Sequence, residues 1–200
     1  YPGFNFKMAK FAHSQGIRTF YYISPKVWAW KERRVERIRK YVDRLFIIFP
    51  FEVEYFRGKG IEAIYEGNPL VDSIAQKLRT IAPREEFLAE NGLDSRPVVA
   101  LLAGSRKSEI ERNMGFMVAL SKAHPEWQFA VAGVSWIIPE LYHAATAGSD
   151  VKVLTDKTYE LLKYADAAVV CSGTATLETA LIGTPEVVCY RMDEFSYRVA

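Results

Sequence analysis

Short apolar runs alternate with longer amphipathic stretches along the whole sequence. Apolar runs of roughly four to eight residues are typical of strands, and longer stretches with a 3.6-residue apolar period are typical of helices. Most of the apolar runs are continuous rather than alternating, which indicates parallel strands buried on both faces. The pattern therefore predicts an α/β fold in which parallel sheets are flanked by helices.

The predicted elements follow one another in regular order. Strands are predicted at residues 19–23, 45–49, 63–65, 98–103, 128–134, 151–154, 167–171 and 186–190. Helices are predicted at residues 6–15, 31–41, 52–57, 70–78, 84–90, 109–122, 139–147, 158–164 and 174–182.

A polar segment divides the chain before a new apolar run begins at Val98. We expect residues 1–82 to form the C-terminal part of a first Rossmann-like domain, residues 83–97 a linker, and residues 98–200 an incomplete second domain. Strict strand and helix alternation after Val98 is typical of a doubly wound sheet, which binds ligands beyond the carboxyl ends of its strands. The turns that follow the strands are therefore where binding chemistry is expected.

Composition excludes several classes of protein. Lys and Arg number 26 against 24 Asp and Glu, a formal net charge of +2, so we predict no nucleic-acid partner for the protein as a whole. No apolar run approaches the ~18 residues of a membrane-spanning helix.

Cys171 and Cys189 lie in strand-like runs and are predicted to be free thiols. The chain starts without Met and ends at Ala200 inside a predicted helix, so we expect a fragment of a longer protein.

The turn after the strand at 98–103 contains Gly104, Ser105 and Arg106. A glycine, a hydroxyl, a guanidinium and the free amides of the next helix together suit a diphosphate. The turn is neither a Walker A loop nor a G-x-G-x-x-G fingerprint. An ordinary turn in which Ser105 or Ser108 caps the helix is the alternative.

A second turn, after the strand at 167–171, contains Ser172, Gly173 and Thr174, with Glu178 one helical turn later. Hydroxyls and helix amides suit a phosphate, and the Glu178 carboxylate could accept hydrogen bonds from a ribose diol. The alternative is capping by Ser172 or Thr174, with Glu178 as a first-turn acid favoured by the helix dipole. Two such turns in one sheet favour a nucleotide site.

A basic segment, residues 26–40, carries two tryptophans before a predicted helix. Indole rings and cations together suit an anionic membrane surface or an anionic lipid. The alternative is a solvated helix with the tryptophans in the core. The predicted lipid contacts are Trp28, Trp30, Arg33, Arg34 and Arg37.

Several segments occur in the order found in lipid-A-disaccharide synthases, and the chain resembles the central portion of that family. The segments are 23–30 (ISPKVWAW), 49–52 (FPFE), 67–72 (GNPLVD), 103–106 (AGSR) and 172–178 (SGTATLE). The resemblance implies two Rossmann-like domains of the GT-B type. It also implies an inverting glycosyltransferase that moves 2,3-diacylglucosamine from UDP to 2,3-diacylglucosamine 1-phosphate, on the cytoplasmic face of the inner membrane.

The resemblance also implies roles for individual residues. Arg106 would stabilise the departing diphosphate, and Asn5 would orient the acceptor. Of the family's Asp-x-Pro-x-Phe-Asn stretch the chain keeps Pro2, Phe4 and Asn5, so the general base is expected upstream of Tyr1. No metal and no cofactor are expected, and the fragment alone is expected to be inactive.

Two alternatives remain open from the sequence. Another GT-B enzyme on a UDP-sugar, such as the lipid II-forming transferase or a UDP-GlcNAc epimerase, would share the glycine turns but not residues 24–30. A non-catalytic membrane-binding or nucleic-acid adaptor could use the basic segment, but it would have no reason to carry two nucleotide-type turns.

Overall fold

The computed structural model describes residues 1–190. These residues divide after Asp72 into two compact units, of which the first is Tyr1–Asp72 and the second begins at Ser73. Each unit contains its own all-parallel sheet with helices packed on it. The predicted α/β architecture with parallel sheets and flanking helices is thereby confirmed. The expectation that the chain ends within a helix at Ala200 falls outside the described residues.

The first unit is built on a three-stranded sheet in the order β1-β2-β3. Its elements are α1 (Pro2–Ser14), β1 (Phe20–Tyr22), α2 (Val35–Tyr41), β2 (Arg44–Ile47), α3 (Phe51–Arg57), β3 (Ala63–Tyr65) and the start of α4 (Pro69–Leu78). Tyr21 and Leu45 on one sheet face pack with Phe6, Ile38 and Phe56 in a buried core. Alternate residues of these strands thus face the helices, as the period of two in a strand requires.

The second unit contains a five-stranded sheet. Its elements are α5 (Arg84–Glu90), β4 (Val98–Leu102), α6 (Lys107–Ala123), β5 (Gln128–Gly133), α7 (Pro139–Thr146), β6 (Lys152–Thr155), α8 (Thr158–Tyr164), β7 (Ala167–Cys171), α9 (Thr174–Ile182) and β8 (Glu186–Cys189). Strands β4 and β5 are buried along their whole length. Val98 and Ala100 face one apolar core while Val99 and Leu101 face the other, which explains the continuous apolar runs.

The strand order β6-β5-β4-β7-β8 determines where this sheet can bind a ligand. From β4 the chain moves outward through β5 to β6, and then crosses back to place β7 on the other side of β4. The carboxyl ends of β4 and β7 therefore flank the point at which the winding reverses. Ligands of doubly wound sheets bind in the crevice at such a point.

The structure refines two expectations from the sequence, at the start of one helix and in the segment between the predicted domains. The helix predicted at 31–41 is wrong at its start, because Lys31 adopts a left-handed conformation with φ 57° and a 3-10 turn, Glu32–Arg34, precedes α2. The segment proposed as a linker, 83–97, contains α5, whose Phe87 and Leu88 are buried against the second sheet. The units divide between Asp72 and Ser73, and we keep the 83–97 boundary as a proposal for the whole protein.

Candidate functional site

A cavity of about 690 Å³ opens at the carboxyl ends of the second unit's strands. Both turns singled out in the sequence line it, because β4 and β7 are neighbours and their carboxyl ends meet at one sheet edge. The predicted residues that line this cavity are Gly104, Ser105, Arg106, Ser172, Gly173, Thr174 and Glu178. The fold thus brings together side chains from two turns that are far apart in the sequence.

The first turn has a geometry that only glycine suits at position 104. Gly104 has φ 112°, and a Cβ there would lie 2.6 Å from the Cβ of Glu109. The Glu109 carboxylate in turn accepts hydrogen bonds from the backbone N–H of Ser105 at 2.9 Å and of Arg106 at 3.2 Å. Arg106 is therefore the N-cap residue of α6, Glu109 closes back onto it from the third helical position, and the alternative of capping by Ser105 or Ser108 is not what the structure shows.

Arg106 also pairs with Glu109, through its guanidinium. Partial burial acts to raise the pKa of the Glu109 carboxyl, but the hydrogen bonds from Arg106 and Ser105 outweigh burial and hold that pKa below its ordinary value. The Arg106 side chain is still 76% exposed. The guanidinium thus lies at the cavity lining with an internal partner already bound to it.

The second turn leads into α9 without a side-chain cap, so neither Ser172 nor Thr174 caps this helix. Its first amides are available to an anion, and the helix dipole makes that end electropositive. A Cβ on Gly173 would meet nothing closer than the Cys171 carbonyl oxygen at 3.9 Å. The protein's own packing therefore does not require glycine at this position.

Glu178 lies on the α9 face that lines the cavity and receives a hydrogen bond from the Tyr159 hydroxyl at 2.6 Å. Burial, followed by this bond to the Glu178 carboxylate, raises the pKa of Tyr159 to about 12. Tyr159 therefore remains a hydroxyl donor at any physiological pH. It orients one carboxylate oxygen of Glu178 and leaves the other for a second donor.

Several residues that line the cavity were not predicted from the sequence, Lys77 and Trp136 among them. The Trp136 indole N–H donates to the Ser105 carbonyl at 2.9 Å. Trp136 follows β5 closely, so a search of every post-strand turn for aromatic side chains could have found it. Lys77 comes from α4, which precedes this sheet, and no local pattern connects it with the cavity.

In the first unit a buried carboxylate joins two of the family-like segments. Glu52, which is fully buried, accepts hydrogen bonds from the Lys26 ammonium at 3.0 Å, the Trp28 indole N–H at 3.0 Å and the Phe49 backbone N–H at 3.1 Å. The Lys26 ammonium also lies 4.4 Å from the centre of the Phe49 ring. The segments at 24–30 and 49–52 are thus held together at the carboxyl ends of β1 and β2.

The residues predicted to touch lipid are exposed to different degrees, and some of them contact other side chains of the protein. Trp28 is 41% exposed and tied to Glu52, while Trp30 is 61% exposed, with the Lys31 ammonium 3.9 Å from its ring centre. The Arg34 guanidinium carbon lies 5.4 Å from the Trp30 ring centre, and Arg33 and Arg37 are exposed.

Asn5, the predicted acceptor-orienting residue, lies on α1. Its amide donates a hydrogen bond to the Tyr21 hydroxyl at 3.1 Å. Among residues 1–190, no helix is long and apolar enough to cross a membrane, and no group of three or more His, Cys, Asp or Glu side chains could hold a metal ion. Cys171 and Cys189 are free thiols, as predicted.

Comparison with known proteins places these features in a family context. A model of the family described as "Lipid-A-disaccharide synthetase" matches residues 1–200. The chain is 39% identical to the lipid-A-disaccharide synthase of Geobacter metallireducens, over 100% of the chain and 53% of that protein. It is also 39% identical to the enzyme of that name from Syntrophus aciditrophicus, over 100% of the chain and 53% of that protein. The chain thus spans about half the length of these curated relatives.

Solved structures give the fold. The UDP-GlcNAc 2-epimerase of Neisseria meningitidis, bound to UDP-GlcNAc, superposes with a TM-score of 0.66 at 16% identity, over 97% of this chain and 58% of that one. The UDP-GlcNAc 2-epimerase of Methanocaldococcus jannaschii superposes with a TM-score of 0.60 at 15% identity, over 98% of this chain and 60% of that one. At such identities the likeness concerns architecture alone and does not favour epimerase activity for this chain.

Proposed function

The chain belongs to the lipid-A-disaccharide synthetase family, and from that premise we propose that the whole protein transfers 2,3-diacylglucosamine from UDP to 2,3-diacylglucosamine 1-phosphate. The observation that carries the proposal is the meeting of two anion-type turns, at 104–106 and 172–174, in one cavity. Residues 24–30 favour this transferase over a UDP-sugar epimerase, which would share only the two turns.

The cavity suits UDP for reasons of charge and hydrogen bonding. The uncapped N-terminus of α9, with Thr174, offers amides and a hydroxyl to the diphosphate. Arg106 and Lys77 add positive charge from the cavity lining. Glu178, with one oxygen held by Tyr159, offers the other to a ribose hydroxyl.

The proposed transfer is a single displacement at the anomeric carbon of the donor. The acceptor hydroxyl oxygen forms a bond to that carbon while the bond to the UDP oxygen breaks, so the electron pair leaves with UDP. The acceptor's proton goes to a general base, expected upstream of Tyr1 in the whole protein. Arg106 and the helix amides would stabilise the charge that develops on the diphosphate.

The test of the proposed function is a product assay on the full-length protein with the UDP-diacylglucosamine donor and the phosphorylated acceptor. Formation of the disaccharide phosphate with release of equimolar UDP is expected. Conversion of UDP-GlcNAc to its 2-epimer without an acceptor would instead favour the epimerase. Failure to consume either substrate would favour the adaptor.

Glu178→Ala is expected to weaken UDP binding about tenfold, because hydrogen bonds to a charged group contribute roughly 1.5–3 kcal/mol each. Titration calorimetry of the full-length protein would measure this change. A UDP analogue without ribose hydroxyls should bind wild type and the variant equally. The matched control is Glu160→Ala, which removes the same charge from the same cavity lining. Equal UDP affinity of wild type and Glu178→Ala would exclude the ribose contact.

We also propose that the protein sits peripherally on the cytoplasmic face of the inner membrane. The acids of the basic segment are already paired, Glu32 with Lys59 and Glu36 with Arg39. Arg33 and Arg37 are exposed, and each cation near an anionic surface contributes about 1 kcal/mol at most. Trp30 would add an apolar ring at the interface.

Reversing Arg33 and Arg37 to Glu is expected to lower binding to anionic vesicles by about tenfold or more at physiological salt, since two attractive charges become repulsive. Sedimentation of the full-length protein with phosphatidylglycerol vesicles measures it. The charge-matched control is the double reversal of Arg79 and Arg84, both exposed and outside the basic segment. Equal sedimentation of the two double variants would show that the basic segment is a solvated surface that does not bind the membrane.

A further inference from the structure

The donors proposed for the diphosphate are already occupied by a carboxylate of the protein itself. Glu109 accepts the N–H groups of Ser105 and Arg106, at 2.9 and 3.2 Å, and pairs with the Arg106 guanidinium. A carboxylate oxygen has the same sign of charge and similar hydrogen-bonding capacity as a phosphate oxygen. Two anions cannot share these donors without strong repulsion, so Glu109 and a diphosphate exclude each other there.

The charge of the cavity lining makes this exclusion costly for an anionic ligand. Two cations, Lys77 and Arg106, and four acids, Glu109, Asp156, Glu160 and Glu178, line the cavity. Arg106 is neutralised locally by Glu109, and within residues 1–190 Lys77 has no acidic partner. A diphosphate would therefore gain the full charge of Arg106 only after Glu109 has left.

The turn itself is held in place independently of Glu109. The Trp136 indole N–H donates to the Ser105 carbonyl at 2.9 Å. This carbonyl belongs to the same planar peptide as the Arg106 N–H, and in a trans peptide the two groups point in opposite directions. Trp136 thus fixes the direction of the Arg106 N–H from behind, so the donor stays oriented when its acceptor changes.

We propose that Glu109 is an internal competitor that occupies the anion turn in the empty protein and is displaced when the diphosphate of UDP binds. The proposal rests on the function proposed above, because it assigns the diphosphate to this turn. Each binding event exchanges one anion for another on the same donors. The exchange lowers the net affinity for UDP and so favours its release after transfer.

Glu109→Gln tests the exchange, because glutamine keeps an oxygen that can cap α6 but lacks the charge. The full-length variant is expected to bind UDP about tenfold more tightly than wild type, while uridine, which has no phosphate, binds both equally. The matched control is Glu111→Gln on the same helix, where an exposed acid pairs with Lys107 and should leave UDP affinity unchanged. Equal or weaker UDP binding by Glu109→Gln, with uridine unchanged, would overturn the proposal.

Inorganic pyrophosphate separates this proposal from the proposed function. If the wild-type protein binds neither uridine nor UDP, the cavity is not a nucleotide site and the proposed function fails. Pyrophosphate binding then still tests the exchange, because the proposal requires Glu109→Gln to bind pyrophosphate more tightly than wild type does. Equal pyrophosphate affinities overturn the exchange whatever the nucleotide result.

Discussion

Replacing Arg106 with alanine in the full-length protein is expected to lower kcat by about two to three orders of magnitude. Charge develops on the departing diphosphate mainly in the transition state, and removal of one such preoriented donor typically costs about 10² to 10³ in rate. Turnover at saturating donor and acceptor measures the effect. Arg106→Lys should recover only part of the rate, since an ammonium lacks the paired donors of a guanidinium.

Two further variants make the Arg106 result specific. Lys107→Ala removes a neighbouring, exposed cation that pairs with Glu111 and does not line the cavity, so kcat should stay within about twofold of wild type. Arg106→Ala with Glu109→Gln tests whether an unpaired Glu109 causes the loss, and we expect the double variant to remain slow. An unchanged kcat in Arg106→Ala would show that Arg106 does not stabilise the leaving group.

Glu52→Ala is expected to lower the free energy of unfolding by about 3 kcal/mol, the lower end of the cost of removing one partner of a buried ion pair, because Glu52 is fully buried but Lys26 keeps part of its solvent contact. The substitution leaves the Trp28 indole N–H and the Phe49 backbone N–H without their acceptor. It also removes the partner of the Lys26 ammonium, whose side chain is only 30% exposed. The midpoint of denaturant unfolding, followed by tryptophan fluorescence, measures the loss.

The matched control for Glu52 lies two residues further along α3, on the opposite side of the helix. Glu54 is exposed and pairs with exposed Arg57, so Glu54→Ala should change stability by less than about 1 kcal/mol. Glu52→Gln keeps one acceptor oxygen and should fall between the two. A Glu52→Ala protein as stable as Glu54→Ala would mean that the segments 24–30 and 49–52 are held by other contacts.

Much of the fold was predictable because its signals are local. The continuous apolar runs of β4 and β7 indicate buried parallel strands by themselves, and the structure has them as such. The general rule for parallel sheets then pointed to the turns at 104–106 and 172–174, which do line one cavity. The start of α2 was not predictable, because the left-handed turn at Lys31 has no glycine or asparagine to signal it.

Sequence alone thus determined the fold class, the family resemblance and the turns where a phosphate could bind. The structure decided which side chains occupy the first of these turns: Glu109, four residues after Ser105, fills its donors by a local contact, and only tertiary packing brings Trp136, 31 residues away, to the Ser105 carbonyl. Tertiary packing also places Lys26 beside Glu52 and Lys77 at the cavity. The reason is physical, since a hydrogen bond or ion pair depends on distances of about 3 Å between atoms that strand order and helix packing bring together. Periodicity and composition along the chain carry no record of those distances.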